Sequence, residues 1–126
     1  MGYYSQVAIA MRKEEFNTLK NEYEPNNHDL ETLLRVANVK EHSDFVTLEW
    51  NWIKWYDTFP EIQAINKFLW NLDADIPYKF IRIGEDFEDT EMLGNYGSRE
   101  KYGDVVDKID ECMYLYRDVE FNDDVD

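Results

Sequence analysis

The chain lacks most of what staples a small protein or anchors it in a membrane. Among 126 residues there is one cysteine, Cys112, which excludes an internal disulfide and any zinc site built from several thiolates. Three prolines and five glycines mark no linker, and no internal repeat is present, so residues 1–126 read as a single domain. No segment approaches the roughly 20 apolar residues needed to span a bilayer. Arg12, Lys13, Glu14 and Glu15 break the first apolar run too early for a signal peptide, so a cytoplasmic location is expected. Bases are scarce as well: 13 Lys and Arg face 28 Asp and Glu, a formal charge of -15. That balance argues against direct contact with nucleic acid or an anionic membrane, both of which select clustered Lys and Arg. It favours basic partners, including proteins that themselves hold nucleic acid.

Aromatic residues are plentiful, with four Trp, nine Tyr and seven Phe. Each buries a large area, and segments so rich in them are not disordered. The charge is uneven. Residues 1–84 carry 13 acids and 9 bases, whereas residues 85–126 carry 15 acids and 4 bases. An aromatic body of nearly ordinary balance is thus followed by an acidic C-terminal third, 85–126, whose last residues, 122–126, read as a frayed acidic end.

Periodicity predicts the elements. Tyr3 to Met11 alternates as a strand with one covered face. Lys13 to Glu24 carries Phe16, Leu19 and Tyr23 at helical spacing, and Pro25 ends it. A shorter helix follows, capped by Asn27 or Asp29. Asp44 to Trp55 is the clearest strand, with Val46, Leu48, Trp50 and Trp52 on the covered face and Ile53 on the other. Pro60 starts a helix with Ile62, Ile65, Phe68, Leu69 and Leu72 as its stripe. Ile76 to Gly84 reads as a strand, and Glu85 to about Gly103 as an acidic connection. From Val105 a short helix gives way near Cys112 to a strand through Met113, Leu115, Arg117, Val119 and Phe121. The expected fold is α+β, a mainly antiparallel four-stranded sheet with two or three helices packed on one face.

The chemistry-bearing residues are few. His28 and His42 read as exposed loop histidines with no convergent partner. Cys112 lies beside Asp110 and Glu111, which disfavour the thiolate. There is no nucleophile elbow, phosphate loop or dinucleotide fingerprint, and Gly94, Gly97 and Gly103 are too loosely spaced to cradle a phosphate. The run from Glu85 to Glu91 fails the calcium-loop pattern, because Glu91 stands where a Gly is needed and Gly97 where a Glu is needed. No catalytic residue, cofactor or metal ligand is assigned, and the chain is not expected to be an enzyme. Trp55 and Tyr56 fall past the end of the aromatic strand, where such side chains serve as interface anchors.

Three stretches are suggestive together: Gly2 to Ala8, Ile53 to Tyr56 with Phe59-Pro60-Glu61, and Phe80 to Asp86. Across residues 2 to about 91 the chain resembles a group of small acidic proteins encoded by bacteriophages and prophages. The resemblance implies a phage setting, in which such proteins bind and inhibit host factors, DNA mimics among them.

The leading expectation is an interaction protein that engages and inhibits a basic, nucleic-acid-handling host protein, with carboxylates standing in for phosphates. Glu85, Asp86, Glu88, Asp89 and Glu91 form one candidate row. Asp104, Asp107, Asp110 and Glu111 form another, three of them on one helical face. The alternatives are a small metal-dependent enzyme or regulator in which Glu85, Asp86 and Glu88 converge with Arg82 or a histidine, and a homo-oligomer joined through the aromatic strand.

Overall fold

The computed structural model describes residues 2–86, 88–115 and 118–125. β1 (Ser5–Arg12) is the middle strand of a five-stranded antiparallel sheet. Its neighbours are β3 (Phe45–Ile53) and β4 (Tyr78–Gly84), while β2 (Asn38–Glu41) and β5 (Thr90–Asn95) form the edges, in the order β2-β3-β1-β4-β5. The fold is α+β, as the pattern predicts, but with one more strand in the sheet than expected.

The helices between strands cover one face. α1 (Lys13–Thr18) runs on through a π-helical turn, Leu19–Tyr23, and a 3-10 turn, Glu24–Asn26. Arg12 sits at the strand-to-helix junction, where its guanidinium makes paired 2.6 Å bonds to the buried Glu15 carboxylate and lies over the Tyr102 ring. α2 (His28–Val36) is capped by Asn27, whose side-chain oxygen accepts from the Leu30 amide at 3.0 Å. α3 (Pro60–Trp70) begins with proline, whose missing N–H is no loss at a first helical position. Leu19, Leu30, Leu33, Leu34, Ile62, Ile65, Phe68 and Leu69 from these segments bury against Val7, Ile9, Met11, Leu48, Trp50 and Phe80 of the sheet.

The opposite face is not solvated. α4 (Arg99–Tyr102) and α5 (Val105–Glu111) lead into a hairpin, β6 (Met113–Leu115) with β7 (Val119–Phe121), which forms a second two-stranded sheet. Val105, Ile109, Cys112, Met113 and Val119 close over Ala8, Ala10, Phe45, Ile81 and Ile83. The expectation of two or three helices on a single face is therefore corrected: the described residues form five α-helices, and both faces of the sheet are covered. Ala8 and Ala10 lie on the face of β1 opposite Val7, Ile9 and Met11, the side that a strand with one covered face leaves to solvent, yet both are fully buried, small because α5 and the hairpin approach closely. The stretch from Met113 to Phe121 is a hairpin rather than one strand; Arg117 of that alternating pattern lies outside the described residues. Asn122 fastens the exit from the hairpin, its amide donating to the Cys112 carbonyl at 2.8 Å.

Two strands were not legible. β2 is exposed throughout, and β5 is exposed along most of its length inside the supposed acidic connection. Edge strands bury too little to impose an alternating pattern, which explains both omissions.

Candidate functional site

The pairing of β1 with β3 slips at one point. Val7 faces Trp50, but Ser5 faces Ile53, so Asn51 and Trp52 together oppose Gln6. The extra residue is a β-bulge and it reverses the alternation. Ile53, expected on the open side, packs with the helical core, and Trp52, expected on the covered face, is turned out to 63% exposure. Trp52 is the one described non-glycine residue with positive φ, at 55°. That conformation costs an L-residue on the order of 1–2 kcal/mol, and such strain concentrates at functional sites.

Trp52 borders a recess of about 400 Å³ floored by Gln6, Ile83 and Val119, with Glu85, Asp118 and Glu120 at its rim. Gln6 joins the two layers there: its amide donates to Glu49 at 2.9 Å, and its carbonyl oxygen accepts from the Val119 amide at 3.0 Å. No basic residue lines the recess among the described residues. An exposed indole face beside three carboxylates suits a cation, because the ring quadrupole and the charges attract it together.

The two acidic rows read from the sequence do not persist as rows. Arg82, only 12% exposed at its side chain, bonds Asp89 at 2.7 and 3.2 Å, Glu91 at 2.6 Å and the Ser5 hydroxyl at 3.1 Å. The Arg82 guanidinium, followed by the Tyr3 hydroxyl at 2.7 Å, holds the Asp89 carboxyl below the usual carboxylate range. With its donors so engaged, Arg82 does not complete a site with Glu85, Asp86 and Glu88. In the second row, Asp107 accepts from Tyr96 and from Arg99, and both hold its carboxyl low. Asp110 and Glu111 end α5, where negative charge is unfavourable to the helix dipole. Lys79 offsets this by donating to the Asp110 and Met113 carbonyls at 2.6 and 2.9 Å. Among the described residues, Glu85, Asp86, Glu88, Asp104, Asp110 and Glu111 make no ion pair, and no group of three or more His, Cys, Asp or Glu is placed to hold a metal.

Trp55 is a correction. It is 7% exposed, its ring 5.3 Å from that of Trp50 and 6.0 Å from that of Phe80, so it belongs to the core and offers a partner almost nothing. Tyr56 is half-buried and structural. Its hydroxyl accepts from the Tyr3 amide at 2.6 Å, and the Tyr3 hydroxyl in turn accepts from the Asp86 amide at 3.1 Å. A Cβ on Gly84 would collide with that hydroxyl. Residues Tyr3, Tyr56, Gly84 and Asp86 therefore meet at one place, beside the recess.

Comparison with family models, curated proteins and solved structures finds no match to this chain.

Nucleophilic chemistry finds no support at Cys112. The thiol is 2% exposed and donates to the Ile109 carbonyl at 3.2 Å, and burial pushes its pKa up to about 12. Native protein at pH 8 should resist iodoacetamide until it unfolds, as mass spectrometry would show. Nor do the histidines converge: His28 opens α2, and His42 stacks on Phe45 with ring centroids 4.1 Å apart. Among the described residues no helix is long and apolar enough to cross a membrane.

The Arg82 cluster gives a pH signature. The Asp89 carboxyl titrates lower in the folded chain than its ordinary value of 3.8. Its contribution is therefore complete above that value and disappears as pH falls through the lowered one. Arg82→Gln should destabilise by about 1–2 kcal/mol at neutral pH, a modest loss because Asp89 and Glu91 can rehydrate. Below pH 4 the gap between variant and parent should narrow, measured by urea denaturation across pH 2–7.

Proposed function

We propose that this protein binds, and thereby inhibits, a basic site on a nucleic-acid-handling host protein, seating a cationic side chain against Trp52 in the acid-rimmed recess. The observation that carries this reading is Trp52 itself. An indole held in a left-handed conformation and 63% exposed beside Glu85, Asp118 and Glu120 is costly for folding and only partly repaid by burial. Glu85, Asp86 and Glu88, which make no ion pair among the described residues, continue the negative surface from the recess rim along the loop that follows β4. These carboxylates act as phosphate surrogates toward Lys and Arg that would otherwise hold nucleic acid. A phage setting, as the resemblance implies, would put the target in the host cytosol.

The test is capture from bacterial lysate at 50 mM and 1 M salt by the wild-type chain and by Trp52→Gly, with bound proteins identified by mass. A basic protein retained at low salt by wild type only, and displaced by added nucleic acid, supports the reading. Equal retention by both proteins, or retention indifferent to salt and nucleic acid, overturns it.

A further inference from the structure

The two edges of the sheet are not equally defended. β2 is four residues long and carries Lys40, which reaches Asp123 of the C-terminal segment. Short length and an edge lysine are both devices that discourage pairing. β5 has neither. Its six residues, Thr90-Glu91-Met92-Leu93-Gly94-Asn95, contain no Lys and no Pro, and among the described strands it pairs only with β4. Its single charge, Glu91, is drawn back onto Arg82. Met92, Leu93 and the following Tyr96 are 53, 41 and 52% exposed. On the α5 side, Met92, Gly94 and Tyr96 border a shallow cavity of about 200 Å³ whose far wall includes Ile109 and Asp110.

From this we infer that β5 is the docking edge for an extended, basic segment of the partner, which adds as a sixth strand. Charge decides the occupant. Every described base near β5 is already engaged, Arg82 with Asp89 and Glu91, Arg99 with Asp107, and Lys79 with carbonyls. Among the described residues the charges left there without a counter-ion are one base, Lys79, and four acids, Glu85, Asp86 and Glu88 before the strand and Asp110 across the cavity, so the balance is negative. A second copy of the chain would bring another -15 to this edge, whereas a segment bearing Lys or Arg at alternate positions brings the missing charge. In such an addition the outward-facing amides and carbonyls of β5 supply the affinity, and alternate side chains of the incoming strand reach toward Met92 and Asp110. Glu85 belongs both to the Trp52 rim and to the approach to β5, so one partner engages both.

This inference rests on the reading of a basic partner, and the test separates the two. The probe is a capped heptapeptide of alternating lysine and valine, with a glutamate-for-lysine analogue and an analogue N-methylated at alternate amides. Hydrogen exchange and amide NMR shifts are followed in the intact chain and in Met92→Lys. The lysine peptide should slow exchange in residues 90–95 about tenfold, the two analogues should not, and Met92→Lys should lose the effect while keeping a wild-type spectrum elsewhere. Equal protection by the N-methylated peptide overturns strand addition. Protection that grows with protein concentration alone, together with a dimer in sedimentation, overturns the basic occupant in favour of a second copy. Shifts at Trp52 without protection in β5 overturn this inference and leave the proposed function standing. An absence of any binding overturns it too, while lysate capture judges the proposed function separately.

Discussion

Trp52→Gly is expected to stabilise the free protein and to abolish its binding. Glycine adopts the left-handed conformation without the steric penalty that a tryptophan bears, on the order of 1–2 kcal/mol. Part of that gain is returned as the extra backbone freedom of glycine in the unfolded chain, about 0.5–1 kcal/mol. Loss of a side chain that is 63% exposed removes little packing. A net gain of about 0.5–1 kcal/mol is expected, visible as a rise of a few degrees in Tm. Binding should fall by at least about thirtyfold, since a tryptophan anchor commonly contributes 2 kcal/mol or more. Trp52→Ala separates the two effects: it removes the ring but keeps a Cβ at φ 55°, so binding falls without the gain in Tm. Paired calorimetric melts and titrations of all three proteins check this. A loss of stability in Trp52→Gly would mean that the indole supports the fold.

Reversal of the rim, Glu85→Lys with Asp118→Lys and Glu120→Lys, should have the largest effect on association. All three side chains are exposed and none makes an ion pair among the described residues, so the fold should tolerate the change. The net charge moves from -15 to -9, while the local sign at the recess inverts. Loss of affinity on the order of a hundredfold is expected at low salt, mostly in the association rate, because rim charges steer encounter. At 1 M salt, where the Debye length is about 3 Å, variant and parent should converge. Rates measured by surface plasmon resonance at both salts decide it; a defect of equal size at both would place the effect in packing rather than charge.

Strong periodicity made the body of the fold legible and told less about its margins. β1, β3, β4 and α3 announced themselves through long apolar alternation or a proline start, and each lies where it was expected within about two residues. β2 and β5 did not, because an edge strand has little buried face to pattern. The second covered face was hidden because Ala8 and Ala10 alternate with Val7, Ile9 and Met11 as if on an uncovered side, whereas both are buried under α5 and the hairpin.

The site was legible only in its sign. The acidic C-terminal third supplies Glu85, Asp118 and Glu120, yet Asp89 and Glu91 of the first expected row and Asp107 of the second are held by Arg82 and Arg99. Sequence spacing cannot show which acid meets which base. Trp52 was misplaced for a sharper reason. A single bulge opposite Gln6 shifts alternation by one residue, so the tryptophan assigned to the core is the exposed one, and Trp55 beyond it is buried. The one available signal was local, two tryptophans separated by an asparagine just before the strand ends, and it did not reveal the bulge.

The most direct test of the recess is a titration of the 15N-labelled protein with a nine-arginine peptide at 50 mM salt, following the four indole resonances and the backbone amides. The Trp52 indole and the amides of Ile83, Val119 and Glu120 should move first and saturate together, with Trp50 and Trp55 unmoved and the response lost at 1 M salt. Shifts spread evenly over the acidic surface, with the Trp52 indole unchanged, would contradict the account.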